Sequence, residues 1–125
     1  MLKFSIFAFA VLVGVNAAAV QQESKVPAGF HGYWEPDLKL CGTFKGDGRL
    51  VISADQLHFY ESIGPVKAVL VESSQDAIVV AQLRGEGETW LAHRHFRLSE
   101  DTNTLTDVLE HGNVIRHRCP ANSPH

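Results

Sequence analysis

From Arg49 onward, short runs rich in β-branched and aromatic residues alternate with clusters of turn-forming residues. No run carries the i, i+3, i+4 repeat of an amphipathic helix, and the regular spacing is typical of an all-β sandwich or barrel. With one further run near residue 30, the pattern predicts eight strands. They are FHGYW (30–34), RLVIS (49–53), LHFYES (57–62), VKAVLVE (66–72), AIVVAQLR (77–84), ETWLAHRHFRLS (88–99), TLTDVLE (104–110) and NVIRHR (113–118).

Most connections between these runs are too short for anything but hairpins. SADQ, IGP, SSQD, GEG, EDTN and HG each supply glycine, proline or aspartate for a tight turn, so consecutive strands pair antiparallel. A Greek-key sandwich needs a long crossing connection, and the longer link is 35–48. The fold we predict is therefore an all-β, eight-stranded antiparallel up-and-down barrel, whose first and last strands are neighbours.

The amino terminus predicts export. Lys3 precedes the apolar run 4–15, and Ala17–Ala19 form a small-residue cleavage pattern, so residues 1–19 are interpreted as a signal peptide. A run of roughly twelve apolar residues is too short to span a bilayer core of ~30 Å. We expect a periplasmic or secreted protein with a flexible segment at 20–29, a barrel domain at 30–120 and a disordered tail at 121–125.

Charge and cysteine content narrow the class of protein. Lys3 is one of 11 basic residues, so its removal leaves 10 basic against 14 acidic side chains, a net charge of −4. This disfavours nucleic acid and anionic membranes as partners, and no integral membrane association is expected. Cys41 and Cys119 are the two cysteines, and in an exported chain one disulfide is the first interpretation, with two free thiols as the alternative. Such a bond would join the first strand's end to the last strand and close the barrel.

The triplet Gly32-Tyr33-Trp34 in the first strand, with Arg116 and Arg118 in the last, resembles the lipocalin and wider calycin pattern. The chain is similar to small secreted bacterial lipocalin-like barrels. The resemblance implies that Trp34 packs across the closed end of the barrel beneath an arginine of the last strand. It fixes a fold better than a function.

Strand alternation brings charged residues toward the barrel interior. Arg94 shares a face with Trp90 and other apolar residues of its strand. The EDTN turn puts Asp107 on the same side, and the HG turn then predicts Arg116 opposite Asp107. One interpretation is a structural network of paired charges near the barrel end. The other is a ligand site, lined also by Trp90, whose excess positive charge suits a carboxylate or phosphate.

Two other stretches carry candidate chemistry. His93 and His95 project from one face of a strand, and His117 or Glu110 could supply a third ligand, so a metal-binding enzyme is a remote alternative. A solvent-facing histidine pair is the simpler interpretation, and we predict no metal and no cofactor. Tyr60 and Glu61 precede an expected Ile-Gly-Pro turn, which is either ordinary packing or a loop that contacts a partner.

No nucleophile elbow, zinc-protease motif or phosphate loop is present, so we predict a protein that is not an enzyme. The preferred hypothesis is a binding protein holding a small apolar or amphipathic ligand, anionic in one version, in the barrel mouth. The alternative is a periplasmic protein-interaction module, such as an enzyme inhibitor or immunity-type protein, whose segment 20–30 inserts into its target. The two differ in whether the interior is an open cavity or a packed core.

Overall fold

Eight antiparallel strands close into a barrel, and a ninth lies against it at the amino-terminal side. The computed structural model describes residues 19–125, so the predicted signal peptide lies outside the described residues except for Ala19. Two 3₁₀ turns, Ala28–Phe30 and Leu38–Leu40, flank the first barrel strand. The strands are β1 (Gln21–Glu23), β2 (Gly32–Glu35), β3 (Leu50–Ile52), β4 (Gln56–Phe59), β5 (Ile63–Ser73), β6 (Asp76–Gly85), β7 (Glu88–Leu98), β8 (Thr104–Val108) and β9 (Val114–Arg118).

Each barrel strand pairs with the next one along the chain, and β2 pairs with β9 to close the ring. Trp34 lies opposite Arg118 in this seam. The predicted eight-stranded antiparallel barrel, with its first and last strands adjacent, is therefore confirmed. No helix within residues 19–125 combines the length and apolar character needed to cross a membrane.

The stretch Ile63–Pro65 was expected to be a turn, and this prediction is wrong. These residues open β5 and pair with β4, while the chain reverses earlier, where the Phe59 amide donates to the Ser62 carbonyl at 2.7 Å. A glycine at position 64 is required because a Cβ there would collide with the backbone of Gln82 on β6. Glycine marks a close approach of two strands here, which is the other common reason for glycine within a strand.

The barrel interior is a packed core. Phe96 and Leu105 are fully buried against the apolar faces of the opposite strands, and Phe30 plugs one end. An eight-stranded barrel is just wide enough for side chains to fill it. The interior apolar residues are Val26, Phe30, Trp34, Leu50, Ile52, Leu57, Val69, Ala77, Val79, Ala81, Leu83, Ala92, Phe96, Leu98 and Leu105.

Arg118 covers Trp34 at the closed end of the barrel. Its guanidinium lies 4.3 Å from the centre of the indole ring and donates to the carbonyl oxygens of His31, Gly29 and Thr102 at 2.6, 2.9 and 2.9 Å. A Cβ on Gly32 would lie 2.7 Å from this guanidinium, and Gly32 has a φ of +151°. Both facts explain why a glycine begins the Gly-x-Trp triplet. The position of Arg118 over Trp34 is the one that the resemblance implied.

A disulfide joins Cys41 to Cys119 across the closing seam, with a Cα–Cα distance of 5.7 Å. The Cys119 amide also donates to the Tyr33 carbonyl at 2.8 Å, which continues the pairing of β2 with the chain after β9. The predicted disulfide is therefore confirmed.

The first and last segments that the structure describes lie against the barrel. Gln21–Glu23, in the segment expected to be flexible, pair with Val69–Val71 of β5, and Val26 is buried. In the tail expected to be disordered, the ring of His125 lies 5.4 Å from that of Tyr33.

Removing the disulfide should destabilise the protein strongly. The two cysteines are 78 residues apart in the sequence. Closing a loop of this length reduces the entropy of the unfolded chain, which corresponds to a stabilisation of about 4 kcal/mol. A Cys41→Ser/Cys119→Ser variant should show a free energy of unfolding lower by about this amount in urea denaturation. Equal stability of the oxidised protein and the double variant would contradict this.

Candidate functional site

Three charged side chains meet inside the barrel near the end opposite Trp34. Asp107 is fully buried on β8 and forms an ion pair with Arg94 of β7. Its Oδ2 also accepts a hydrogen bond from Nη1 of Arg116 on β9 at 3.0 Å. Arg116, itself buried, donates through Nε to the Gly48 carbonyl at 2.6 Å. The predicted grouping of these residues is therefore present.

The register differs from the sequence expectation by two residues. Asp107 lies opposite Val114, and Arg116 lies opposite Leu105, so the prediction that Arg116 faces Asp107 directly is wrong. Because the side chains of a strand alternate with a period of two, a two-residue shift leaves Arg116 on the interior face. The long arginine side chain then reaches Asp107 diagonally.

Phe59 of β4 completes the lining of this polar layer. The Arg94 guanidinium lies 4.4 Å from the centre of the Phe59 ring, and that of Arg116 lies 5.8 Å from it. Two arginines and one aspartate leave an excess of one positive charge. Burial lowers the pKa of Arg116, and the hydrogen bond to Asp107 partly opposes this decrease. The Arg116 side chain is almost completely buried, whereas that of Arg94 is partly exposed and is the cation closer to solvent.

The open end of the barrel carries a shallow pocket above this layer. Its volume is about 390 Å³, and it is lined by Asp47, Phe59, Tyr60, Glu61, Ser62 and Arg94. A second, smaller depression shares Glu61 and Ser62 with it and adds Gly85, Glu86, Glu88 and Trp90. We call these two adjoining depressions the rim. Among the described residues that line it, Arg94 is the cation, against carboxylates at positions 47, 61, 86 and 88.

Trp90 lies on the rim. Its side chain is on the interior-facing side of β7, as the alternation predicts, but it is 40% exposed. The reason is that β8 pairs with β7 only from His95 to Leu98, so at the level of Trp90 β7 has a neighbouring strand, β6, on one side only. Tyr60 is also exposed, at 46%. The sequence put Tyr60 and Glu61 beside a turn, and the structure brings both to the same rim as Trp90.

A second polar cluster, which the sequence analysis did not predict, lies under the 36–48 loop. Glu35 is fully buried on the outer face of β2, and its Oε2 accepts a hydrogen bond from the Tyr33 hydroxyl at 3.0 Å. Its Oε1 has no hydrogen-bond partner among the described residues. Burial raises the pKa of Glu35 above 4.5, although the Tyr33 hydrogen bond and nearby Arg49 oppose the shift. Burial also raises the pKa of Tyr33. The arrangement holds the loop against the barrel wall.

The histidine pair does not form one cluster. His95 contacts Asp76 through its Nε2, and Glu72 lies close enough for all three to offer ligand atoms within 4.8 Å of one another. His93, exposed on the same face, is not a member of this group, and neither are the expected third ligands His117 and Glu110. Asp76 already has a cationic neighbour, because Nε of Arg97 lies 3.4 Å from its other oxygen. The group is consistent with a surface ion-pair network.

Comparison with known proteins adds no family assignment. No family model, curated protein or solved structure matches this chain. Any functional argument therefore depends on the geometry of the rim and of the charges beneath it.

Asp107 should be essential to stability because it is the counter-ion of two arginines. An Asp107→Asn variant leaves Arg94 and Arg116 inside the barrel end without a negative charge, and breaking such a buried arrangement typically lowers the free energy of unfolding by about 3 kcal/mol or more. Urea denaturation measures this. Glu110→Gln, the same change at an exposed position, should alter stability by less than about 0.5 kcal/mol. Equal effects of the two substitutions would contradict the proposed pairing.

Glu35 should make stability pH-dependent. A carboxyl whose pKa is raised by folding favours the folded state fully below its unfolded pKa, and that contribution is lost as the pH rises through the folded value. A Glu35→Gln variant, which stays neutral, should therefore gain stability relative to the unmodified protein as the pH rises above 4.5. Urea denaturation at a series of pH values measures the difference, with Glu110→Gln as the surface comparison. A Glu35→Gln difference that is constant with pH would show that Glu35 is ionised normally.

Proposed function

We propose that the protein is an exported, non-enzymatic binding protein that contacts a protein partner through the rim. The observation that carries this proposal is the contrast between a filled interior and an exposed, aromatic and acidic rim. Tyr60 and Trp90 present large amphipathic side chains there. Tyrosine and tryptophan are enriched at the energetic centres of protein interfaces because they contribute a large contact area with little loss of conformational freedom.

The filled interior argues against a ligand enclosed in the barrel. Ligand cavities typically bury most of the surface of a small molecule, whereas the space inside this barrel is occupied by side chains such as Phe96 and Leu105. The charges beneath the rim favour structure over recognition, because Asp107 binds both arginines and Arg116 also binds the Gly48 carbonyl. Of the two arginines, Arg94 is the one that lines the rim.

A small amphipathic ligand at the rim is the second candidate. The Arg94 guanidinium lies over the Phe59 ring, and both residues line the larger depression, so a cationic and an apolar group occur together there. Such a ligand would cover the rim rather than enter the barrel. The same residues, with Trp90 alongside, would then contact it.

The position of segment 20–30 bears on the hypothesis that the protein is an enzyme inhibitor that inserts this segment into its target. Gln21–Glu23 pair with β5, and the Val26 carbonyl lies 2.6 Å from Nε2 of His31. Insertion of this segment into a target enzyme would require it to leave the barrel first. The rim needs no such rearrangement, so we place the contact surface there.

Substitution of the rim aromatics tests the proposal. A partner captured from periplasmic extract and then purified should bind the unmodified protein directly, and Trp90→Ala or Tyr60→Ala should weaken that binding by at least tenfold in calorimetric titration. Loss of an anchoring aromatic at an interface typically has an effect of this size. Ile115→Ala removes an equally exposed apolar side chain from the outer wall and should have little effect.

Two outcomes would contradict the proposal. If binding is unchanged by both rim substitutions but abolished by deletion of residues 20–28, the amino-terminal segment is the contact surface. The second candidate, a small amphipathic ligand, is correct if a small apolar probe binds the unmodified protein but not the Trp90→Ala or Tyr60→Ala variant, and no purified protein binds.

A further inference from the structure

Strand β7 is much longer than its neighbour β8, and this leaves part of its edge without a partner. Residues 88–97 of β7 pair with β6 in one continuous register, but pairing with β8 begins only at His95. Within residues 19–125, no backbone hydrogen bond from a loop reaches the stretch 88–94 on its other side. We call this stretch, from Glu88 to Arg94, the free edge.

The alternation of hydrogen bonds identifies which backbone groups point outward. The Leu98 amide donates to Gln75 beside β6, whereas the Ser99 amide donates to Thr104 beside β8. Even-numbered residues of β7 therefore face β6, and odd-numbered ones face the other side. At the free edge, the odd-numbered residues are Thr89, Leu91 and His93. Because no described residue pairs with them on that side, their three N–H groups and three C=O groups are open to another strand.

The free edge lacks several of the features that usually protect exposed strands, and its charged residues, Glu88 and the inward-facing Arg94, lie only at its two ends. Natural edge strands carry lysine or proline, bulges or very short lengths, which prevent pairing with other chains. The stretch ETWLAHR contains neither lysine nor proline, and its register with β6 is unbroken. Leu91 is 57% exposed and Trp90 is 40% exposed. An edge of unbroken register, flanked by exposed apolar side chains, is suited to strand addition.

The charges around the free edge indicate the chemistry of the added strand. Within residues 19–125, the adjoining rim is lined by carboxylates at positions 47, 61, 86 and 88 and by the cation Arg94, which is bound to Asp107. The exposed Arg84 of β6 lies opposite Thr89 but does not line the rim. A segment carrying lysine or arginine would meet these carboxylates, and its cations could also lie over the exposed rings of Tyr60 and Trp90. An acidic segment would be repelled.

We propose that the free edge of β7 takes up an extended, lysine- or arginine-bearing segment of a protein partner as an additional strand. This inference deepens the proposed function and rests on it, since it names how the partner binds beside the rim. Backbone groups of Thr89, Leu91 and His93 provide the pairing, and the rim carboxylates select the charge.

A second copy of the same chain is the competing occupant. Two copies of β7 paired antiparallel about Leu91 would place Glu88 opposite Arg94, an opposite-charge pair. However, Arg94 is already held by Asp107, and the two acidic rims would be brought together. A basic segment from another protein satisfies both the backbone groups and the charges.

Synthetic peptides test the inference without knowledge of the natural partner. The probes are a heptapeptide of alternating lysine and valine, its glutamate–valine counterpart, and the lysine–valine peptide N-methylated at three consecutive central amides. Methylation removes the pairing groups of both peptide edges and keeps the charges. Binding is measured by titration, and hydrogen exchange is followed by NMR at the amides of Thr89, Leu91 and His93.

The expected result is that the lysine–valine peptide binds and slows exchange at all three amides, while N-methylation weakens binding at least tenfold and the glutamate–valine peptide does not bind. Equal binding of the methylated peptide would overturn strand addition and leave the rim as a surface that binds cations. The inference would be overturned if the glutamate–valine peptide binds, or if neither peptide binds. The partner-binding test with Trp90→Ala decides the proposed function separately. Protection of the three amides that grows with protein concentration alone, together with a dimer in sedimentation, would assign the edge to a second copy.

A matched pair of variants isolates the backbone contribution. Leu91→Pro and Leu91→Thr both remove the leucine side chain, but only proline removes the outward-facing N–H, and proline is tolerated on an unpaired edge. Leu91→Pro should weaken binding of the lysine–valine peptide at least fivefold more than Leu91→Thr. Equal affinities of the two variants would overturn strand pairing at this position, and a Leu91→Pro protein that does not fold leaves the decision to the methylated peptide.

Discussion

Closure of the ring between β2 and β9 is the constraint on which the rest of the structure depends. Arg118 lies opposite Trp34 in this pairing, covers its ring and binds three backbone carbonyls around it. The disulfide from Cys41 to Cys119 fixes the same seam covalently. With the ring closed at this point, the alternation of each strand fixes which side chains face the interior, and those in the middle of the barrel form the core.

A closed barrel of eight strands also restricts where charged side chains can face the interior. The interior is narrow enough for Phe96, Leu105 and their neighbours to fill it, so a charged residue facing inward is tolerated only near an end and only with a partner. Asp107 meets this condition by binding Arg94 and Arg116 together. The polar layer therefore closes the open end of the barrel from within, as Trp34 and Arg118 close the other end. Recognition is then left to the rim above it.

The sequence predicted the barrel because its signals were local and repeated: short turns, alternating strands and a glycine–tryptophan triplet. It also grouped Arg94, Asp107 and Arg116, since their faces follow from alternation even where the exact register did not. Other features could not be predicted. The buried carboxyl of Glu35 depends on how the 36–48 loop folds over β2, which alternation does not encode. The role of Gly64 is another, because its close approach to Gln82, which makes it part of a strand and not of a turn, is visible only once both strands are placed.

The exposure of Trp90 was missed for a related reason, and it links the rim to the free edge. Alternation assigns a side chain to a face but does not reveal whether a neighbouring strand is long enough to cover it. Here β8 ends its pairing at His95, so the same shortness that exposes Trp90 also exposes the backbone groups of Leu91 beside it. The aromatic contact surface and the unpaired edge are thus two results of one difference in strand length. A partner that uses both would gain side-chain contact and backbone pairing from a single extended segment.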